Sequence, residues 1–294
     1  MIQYFGQLLK FKLSITVVFS AMIGYLLGFD QFNLQHFIYL ILGGFLVTGS
    51  ANAFNQVLEK QEDRLMARTA IRPLPKGNLS VIQAGTFAFI IGIVGLFLLN
   101  KINPQGTFYG VMSKSSFFGL ISILLYVLSY TPLKRVSTIS IFVGAIPGAI
   151  PFLLGYVAAT DNFDLAAGIL FAIQFFWQFP HFIAISWVQH EDYNKAGFKM
   201  LFGGVKNKYP AKISIFTSVF MTGVSIAPFF VDISGLALSS YSFITVLLLG
   251  IWFTLKSVRL HQNIDDDSAR DLMLSSFAYL PIMQIVFVLD RFLF

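Results

Sequence analysis

Residues 52–77 read NAFNQVLEKQEDRLMARTAIRPLPKG, a polar stretch in a chain that is otherwise mostly apolar. Asn55, Glu59 and Asp63 follow one another at four-residue spacing, which places their side chains on one face of a helix. A row of oxygen ligands on one helix face suits a hard divalent cation such as Mg²⁺. The stretch therefore predicts a magnesium site, with a solvated loop between two membrane helices as the alternative.

A second row with the same spacing follows, and it consists of Arg64, Arg68 and Arg72. Guanidinium groups bind phosphate oxygens through paired, charge-assisted hydrogen bonds. Oxygen ligands for a metal next to guanidinium groups for phosphate indicate a phosphorylated ligand.

The composition of the whole chain is that of a membrane protein. Of its 294 residues, 56% are hydrophobic and only 12% are charged, whereas a soluble domain carries about twice that fraction of charge. We therefore expect an all-α polytopic membrane protein with a single domain, residues 1–294. The first apolar run has no small-residue cleavage site and is interpreted as a retained helix. The absence of cysteine excludes disulfides and thiolate metal sites.

Nine apolar segments are long enough to cross a bilayer. They lie at 13–29, 36–58, 81–100, 115–132, 138–158, 165–188, 211–231, 240–257 and 273–293. With this division, the N-terminus and the loops on its side contain 17 of the 20 Lys and Arg residues. Basic residues accumulate on the cytoplasmic side of membrane proteins. We therefore predict a multi-pass protein of the cell (inner or cytoplasmic) membrane. Its N-terminus and acidic loops would lie in the cytoplasm and its C-terminus outside. The net charge of +6 then requires no nucleic acid.

The sixth segment ends in a second polar cluster, within PHFIAISWVQHEDYNKAGFKML at 180–201. Glu191 and Asp192 stand at the end of the segment, and Lys195 and Lys199 follow. Alone, this cluster is typical of a solvated helix end. Together with the first stretch, it predicts that carboxylates from two helices face each other across one or two metal ions.

Two further places carry polar groups of interest. His181 lies in the apolar part of the sixth segment, where an ionisable group is a functional candidate. Three interpretations of His181 are open from the sequence: a haem-iron ligand, a base, or a core histidine bonded to a neighbouring carbonyl. The sequence YTPLKR at 130–135 contains Lys134 and Arg135, which either add cations to an anionic pocket or anchor the cytoplasmic side.

These features together predict a reaction. The 34 Phe residues allow an aromatic chamber for an isoprenoid chain, and ring faces stabilise carbocations. Mg²⁺ and the basic groups would neutralise charge on a departing diphosphate, while the chamber shields the allylic cation from water. The chemistry indicated is prenyl transfer.

At these residues the sequence resembles the UbiA superfamily of intramembrane prenyltransferases. The resemblance rests on the N-xxx-E-xxx-D pattern with RLMARTAIRPLPKG (55–77), YTPLKR (130–135), GAIPGAIPFLLGY (144–156) and the cluster at 180–201. The combination of PHF with DYxxAGxxML is typical of the branch that farnesylates haem. The order and spacing of these pieces extend over nearly the whole chain.

The resemblance implies nine transmembrane helices around a central cavity and Mg²⁺-dependent farnesyl transfer. Farnesyl diphosphate and haem B would be the substrates, haem B being a substrate and not a cofactor, and haem O the product. Haem A synthase or terminal-oxidase assembly factors are the partners that such a product implies, besides membrane lipid.

The resemblance also implies roles for individual residues. Asn55, Glu59 and Asp63 would form the first Mg²⁺–diphosphate motif, and Glu191 with Asp192 the second. The residues expected to act in catalysis are Asn55, Glu59, Asp63 and Asp192. The residues expected to bind substrate are Arg68, Arg72, Lys134, His181, Lys195 and Lys199.

The sequence departs from the superfamily pattern in both motifs. Glu59 stands where aspartate is common, and Gln189 and Tyr193 occupy the positions where the second pair of aspartates would align. An aromatic polyprenyltransferase of the quinone branch is the alternative, and a transporter is a third reading, although its paired charges should lie at mid-membrane. We expect Asp63→Ala to abolish turnover without affecting folding, because an exposed ligand contributes little to packing.

Overall fold

The computed structural model describes residues 1–108, 110–231, 233 and 235–294. Its α-helices are α1 (Ile2–Leu8), α2 (Phe11–Gly28), α3 (Leu34–Leu58), α4 (Lys60–Leu65), α5 (Val81–Asn100), α6 (Lys114–Leu124), α7 (Thr131–Leu133), α8 (Ile139–Thr160), α9 (Leu165–Val188), α10 (His190–Lys195), α11 (Lys208–Phe230), α12 (Ser240–Asn263) and α13 (Asp266–Leu293). A π-helical segment (Leu125–Tyr130) joins α6 to α7, and β1 (Thr107–Phe108) pairs antiparallel with β2 (Met112–Ser113) before α6.

Nine helical stretches in these ranges are long and apolar enough to cross a membrane. They are α2, α3, α5, the stretch from α6 to α7, α8, α9, α11, α12 and α13. Each matches one of the nine predicted segments, so the prediction of an all-α, multi-pass membrane protein is confirmed. α8 is the most enclosed of them, with 78% of its apolar window buried, because α2, α6 and α9 all pack against it.

The helices that correspond to the predicted segments 240–257 and 273–293 are longer than those segments. α12 continues to Asn263, and α13 already begins at Asp266. The carboxylate of Asp265 accepts a hydrogen bond from the Ser268 amide at 2.7 Å and so caps α13. Acidic residues in the first turn of a helix also interact favourably with its dipole. The consecutive aspartates therefore start a helix, which is the capping role that their sequence favours.

The backbones of α2 and α8 approach each other at two glycines. A Cβ atom on Gly24 would overlap the Phe152 carbonyl, and one on Gly155 would overlap the Ala21 carbonyl. Small residues at such positions allow membrane helices to pack with their backbones in contact. Gly155 belongs to the Gly/Pro-rich stretch 144–156, so part of that pattern is explained by this contact.

The prolines of α8 leave carbonyl groups without an intrahelical donor, since proline has no N–H. Pro151 would otherwise donate to the Pro147 carbonyl, and Ser122 Oγ donates to that carbonyl at 3.4 Å. Gln174 and Gln178 of α9 donate to two further α8 carbonyls, those of Gly148 and Ala145, each at 2.9 Å. Ser122 thus satisfies one carbonyl that the prolines leave without a donor, and the two glutamines add bonds from α9 to the same helix.

The π-helical segment has a similar cause. Pro132 removes one donor and its ring crowds the carbonyl four residues earlier. The helix widens, and the Thr131 amide donates to the Tyr126 carbonyl five residues back. Thr131 Oγ1 donates to the same carbonyl at 2.8 Å. Such wide turns are common at functional sites, and this one precedes Lys134.

We predict that Gly155→Ala lowers the midpoint of thermal unfolding of the protein in detergent. The added methyl group meets a backbone carbonyl of α2 that has no room to move, and overpacking of this kind costs roughly 1–3 kcal/mol. Gly168→Ala in α9 is the matched control, because a Cβ there has no atom within 4 Å. Equal unfolding midpoints for the two variants would show that α2 and α8 do not pack as described.

Candidate active site

The first polar stretch forms a broken helix rather than the single helix that its spacing predicts. α3 ends at Leu58 and α4 begins at Lys60, with Glu59 between them at φ −101° and ψ 16°. The Glu59 amide still donates to the Asn55 carbonyl at 2.9 Å, and the Asp63 amide donates to the Glu59 carbonyl at 2.8 Å. The four-residue repeat therefore survives the bend, and all three predicted ligands are buried.

Both carboxylates of this motif are paired with cations. Arg72 Nη1 donates to both oxygens of Asp63, at 2.9 and 2.7 Å. The Lys134 ammonium contacts the Glu59 carboxylate in an ion pair. Lys134 is itself buried and lies over the rings of Tyr130 and Phe198, 4.9 and 5.0 Å from their centroids. The structure thus brings together the predicted metal ligands and two of the predicted diphosphate cations.

Asn55 is held by both ends of its amide. Its Nδ2 donates to Thr131 Oγ1 at 3.2 Å, and its Oδ1 accepts from the Lys10 ammonium at 3.3 Å. Burial, with the charges of Arg72 and Lys134, lowers the pKa of Lys10 to about 7. Lys10 was predicted only as one of the basic residues on the N-terminal side, because nothing in the sequence connects two residues 45 positions apart.

The second polar loop reaches this cluster through a different residue from those predicted. Asp192 is paired with Lys195 at 3.7 Å, and Glu191 is exposed. Tyr193 is the residue of this loop whose phenol interacts electrostatically with Arg68, Glu59 and Arg72. Burial raises the pKa of the Tyr193 phenol, and the guanidinium of Arg68 opposes that rise.

The acids of the two loops do not assemble into one cluster. Within the described residues there is no group of three or more His, Cys, Asp or Glu side chains that could hold a metal ion. The role of Glu191 and Asp192 as metal ligands therefore stays a prediction.

Lys199 lies at the edge of the cluster. Its amide donates to the Lys134 carbonyl at 2.6 Å, while its exposed side chain lines a cleft of about 500 Å³. Tyr193 and His190 line the same cleft. So does Ser186, whose buried hydroxyl has no hydrogen-bond partner among the described residues. The cleft thus adjoins the Glu59–Lys134 pair but has its own polar groups.

His181 lies among aromatic rings. Its Nδ1 is 2.8 Å from Ser276 Oγ, and its ring stacks on Trp177 with centroids 4.6 Å apart. The partner is a hydroxyl group and not the carbonyl considered from the sequence. Phe182 connects the histidine to the acidic cluster, with its centroid 5.9 Å from His181 and 6.3 Å from Tyr130.

An aromatic wall borders the acids. It consists of rings from the π-helical segment, α9, α10 and the loop after α10, namely Tyr126, Tyr130, Phe175, Phe179, Phe182, Tyr193, Phe198 and Phe202. Because Lys134 lies over two of these rings, the wall meets the polar cluster without an intervening layer. Such a surface suits an isoprenoid chain and an allylic cation.

The residues present fit Mg²⁺. Asn55, Glu59 and Asp63 offer an amide oxygen and two carboxylates, which are the ligands this ion prefers. Glu59 Oε1 is buried and contacts the Lys134 ammonium, and Asn55 Oδ1 accepts a long bond of 3.3 Å from the Lys10 ammonium. Both oxygens thus already face a cation, whose place a metal ion would take.

The expectation that Asp63 is an exposed ligand is wrong, since its side chain is 0% exposed. We now predict that Asp63→Ala also lowers thermal stability, because it leaves Arg72 without its carboxylate. Loss of a hydrogen-bonded charge pair of this kind costs about 1–3 kcal/mol.

Glu62→Ala is the control for this prediction, because the partner of Glu62 is the largely exposed Arg135. Exposed pairs contribute about 0–1 kcal/mol. Thermal unfolding of both variants in the same detergent measures the difference. Equal midpoints would contradict the buried pairing of Asp63 with Arg72.

Comparison with known proteins agrees with this architecture. A sequence model described as the UbiA prenyltransferase family matches residues 17–280. The protoheme IX farnesyltransferase of Flavobacterium psychrophilum is 48% identical over 98% of this chain and 94% of its own length. The enzyme of the same name from Christiangramia forsetii is 44% identical over 98% of this chain and 93% of its own length.

Solved structures show the same fold. A digeranylgeranylglyceryl phosphate synthase superposes with a TM-score of 0.81 at 21% identity, covering 100% of this chain and 99% of its own. A UbiA homologue from Archaeoglobus fulgidus, bound to GPP and Mg²⁺, gives a TM-score of 0.70 at 16% identity, covering 97% and 99%. The chain belongs to the UbiA prenyltransferase family.

Proposed function

We propose that this protein is a protoheme IX farnesyltransferase, which joins the farnesyl group of farnesyl diphosphate to a vinyl group of haem B and so makes haem O. The observation that carries the proposal is that relatives of this name are 44–48% identical over nearly the whole chain. The buried cluster of acids and bases beside an aromatic wall supports it independently.

The diphosphate binds at the cluster formed by Arg72 and Lys134, with Arg68 beside them. The buried Lys134 and the half-buried Arg72 are held in place by carboxylates in the free protein. A diphosphate competes for these cations with several charged oxygens, and guanidinium groups favour that geometry. The farnesyl tail then lies along the aromatic wall.

Mg²⁺ is held by Asn55, Glu59 and Asp63. When bound, it neutralises negative charge on the leaving diphosphate. The residues themselves supply the three oxygens, and the bend at Glu59 sets the angle between the first and the last of them. Arg72 and Lys134 exchange those carboxylate oxygens for diphosphate oxygens and so limit the repulsion between the carboxylates and the diphosphate.

Transfer begins when the allylic C1–O bond breaks and its electron pair leaves with the diphosphate. The rings of Tyr130 and Phe198 stand next to the cationic cluster and exclude water from the allylic cation. The vinyl group donates its π electrons to C1 and forms the new carbon–carbon bond. Water then adds to the resulting cation next to the porphyrin and loses one proton, which completes a hydroxyethylfarnesyl side chain.

The haem carries two carboxylates, and we propose that Lys199 binds them. Its side chain is exposed and lines the cleft with His190 and Tyr193. This exposed position supports the haem carboxylates rather than the diphosphate as the anionic partner of Lys199. Lys195 is paired with Asp192 on the same helix and is a further cation at this edge. His181, two ring contacts from Tyr130, is a contact for the porphyrin face.

Orientation in the membrane is part of the proposal. The N-terminus and the loops that contain the acidic cluster lie in the cytoplasm, and the C-terminus lies outside. The excess of Lys and Arg on that side supports this arrangement, as does the supply of a water-soluble diphosphate substrate.

We expect the purified protein to convert haem B with farnesyl diphosphate and Mg²⁺ into haem O, detected by chromatography and mass spectrometry. Asp63→Asn serves as the inactive control, because it keeps the shape of a ligand but removes its charge. Chelation of Mg²⁺ should reduce the rate to that of this control. Prenylation of 4-hydroxybenzoate in place of haem B would overturn the proposal in favour of an aromatic acceptor.

We expect a cysteine at position 61 to react with a membrane-impermeant maleimide only after the cell is opened, and a cysteine at position 105 to react in intact cells. Gln61 and Gln105 are both exposed, and they lie in the segments that precede and follow α5, which spans the membrane once. The chain has no cysteine of its own, so each variant carries one reactive thiol. The reverse pattern of labelling would contradict the proposed orientation.

A further inference from the structure

Lys10 lies between α1 and α2 with an unusual backbone. Its φ of 46° and ψ of 57° place it in the left-handed region, which costs conformational free energy for any residue other than glycine. Conformations of this kind persist where the surrounding structure enforces them, and they concentrate at functional sites. The strained backbone therefore indicates that the position of the Lys10 side chain has a function.

The segment on both sides of Lys10 is fastened to the protein. Gln56 Nε2 donates to the Leu8 carbonyl at 3.0 Å, and Ser14 Oγ donates to the Leu9 carbonyl at 2.6 Å. The Leu8 side chain is fully buried in a cluster with residues of α3 and α5. The turn thus presents the Lys10 side chain in a fixed direction, toward α3.

The Lys10 side chain reaches the polar cluster that contains Asn55, Glu59 and Asp63. Lys10 Nζ donates to Asn55 Oδ1, at a distance that is long for a bond to an ammonium group. The charges of Arg72, Lys134, Glu59 and Asp63 all act on Lys10. Lys10 is therefore a member of the cluster, although it comes from a separate part of the chain.

The charges of this cluster do not balance. Three cations, Lys10, Arg72 and Lys134, share two carboxylates, which are already paired with the latter two. Lys10 has a neutral amide as its partner. Lys10 is half-buried, and a cation partly removed from water without an anion is unfavourable unless a ligand supplies the missing charge. The cluster is thus prepared for an anion next to the metal ligand Asn55.

We propose that the Lys10 ammonium binds the diphosphate of the prenyl substrate, as a third cation beside Arg72 and Lys134. The identity of this anion rests on the proposed function. In the free protein Lys10 occupies the Asn55 oxygen, and on substrate binding it moves to a diphosphate oxygen and leaves Asn55 to the metal. Lys10 is then a substrate-binding residue supplied by the segment before the first span.

Lys10→Gly tests the proposal without a risk to folding. Glycine adopts positive φ readily, so this variant should unfold at the same temperature as the natural protein or higher. Binding of inorganic diphosphate with Mg²⁺, measured by calorimetry, should weaken about 10- to 100-fold, which is the value of a charge-assisted hydrogen bond. Lys10→Arg should restore part of this binding, because it retains the charge.

Lys76→Met is the matched control, since Lys76 is an exposed lysine of the same polar stretch. Its loss should leave diphosphate binding within about twofold, because exposed charges act weakly. In steady-state assays, Lys10→Gly should raise KM for farnesyl diphosphate and leave KM for haem B unchanged. Unweakened diphosphate binding in Lys10→Gly, or equal weakening in Lys76→Met, would overturn the role of Lys10. So would loss of binding with a lowered unfolding midpoint and no recovery in Lys10→Arg, which would indicate a structural role.

The two proposals fail in different ways. If the natural protein binds diphosphate through Lys10 but makes no haem O, the proposed function is wrong and the role of Lys10 stands. If haem O forms and Lys10→Gly binds diphosphate normally, the proposed function stands and Lys10 has no part in it.

Discussion

The pairing of two buried carboxylates with two cations determines how the parts of this protein meet. Glu59 and Asp63 are shielded from water, so each requires a compensating charge nearby. Arg72 provides it from the same polar stretch, and Lys134 from the loop after the fourth span. The pairs therefore fix the distance between α3, α4 and α7. The Gly24–Gly155 contact and the shared carbonyls of α8 stabilise the helices around them.

The same pairing explains how a highly charged substrate can enter an apolar protein. In the free protein, Arg72 and Lys134, which we propose bind the diphosphate, are paired with Asp63 and Glu59, which we propose bind the metal. A metal ion and a diphosphate bring opposite charges. The carboxylates would therefore exchange a basic side chain for the metal ion, and the basic side chains would exchange a carboxylate for the diphosphate. No buried charge is left uncompensated during the exchange, which would otherwise cost several kcal/mol. Tyr193, Tyr130 and Phe198 then separate this polar centre from the apolar space.

Hydropathy predicted the nine spans because bilayer thickness fixes their length. The i, i+4 spacing also predicted correctly that Asn55, Glu59 and Asp63 follow one another along a helix, because two backbone hydrogen bonds continue across the bend. The segments predicted at 240–257 and 273–293 were too short, because hydropathy does not register polar helical turns or the Asp265 cap that starts α13. Lys10 and Tyr193 depend on contacts between distant segments. The phenol of Tyr193, and not the carboxylate of the adjacent Asp192, faces the cluster. The rotation of α10 about its axis determines which of the two side chains does so.

The π-helical segment has a consequence for how sequences of this kind are aligned. A wide turn contains one residue more than an α-helical turn over the same rise, and here it stands between the fourth span and Lys134. Removal of a single residue from 125–130 would barely alter hydropathy or span length. The turn would become α-helical, and the residues that follow, Lys134 among them, would keep their orientation. A one-residue gap at this point therefore preserves the register of the site, whereas the same gap within α6 would rotate everything that follows by about 100°.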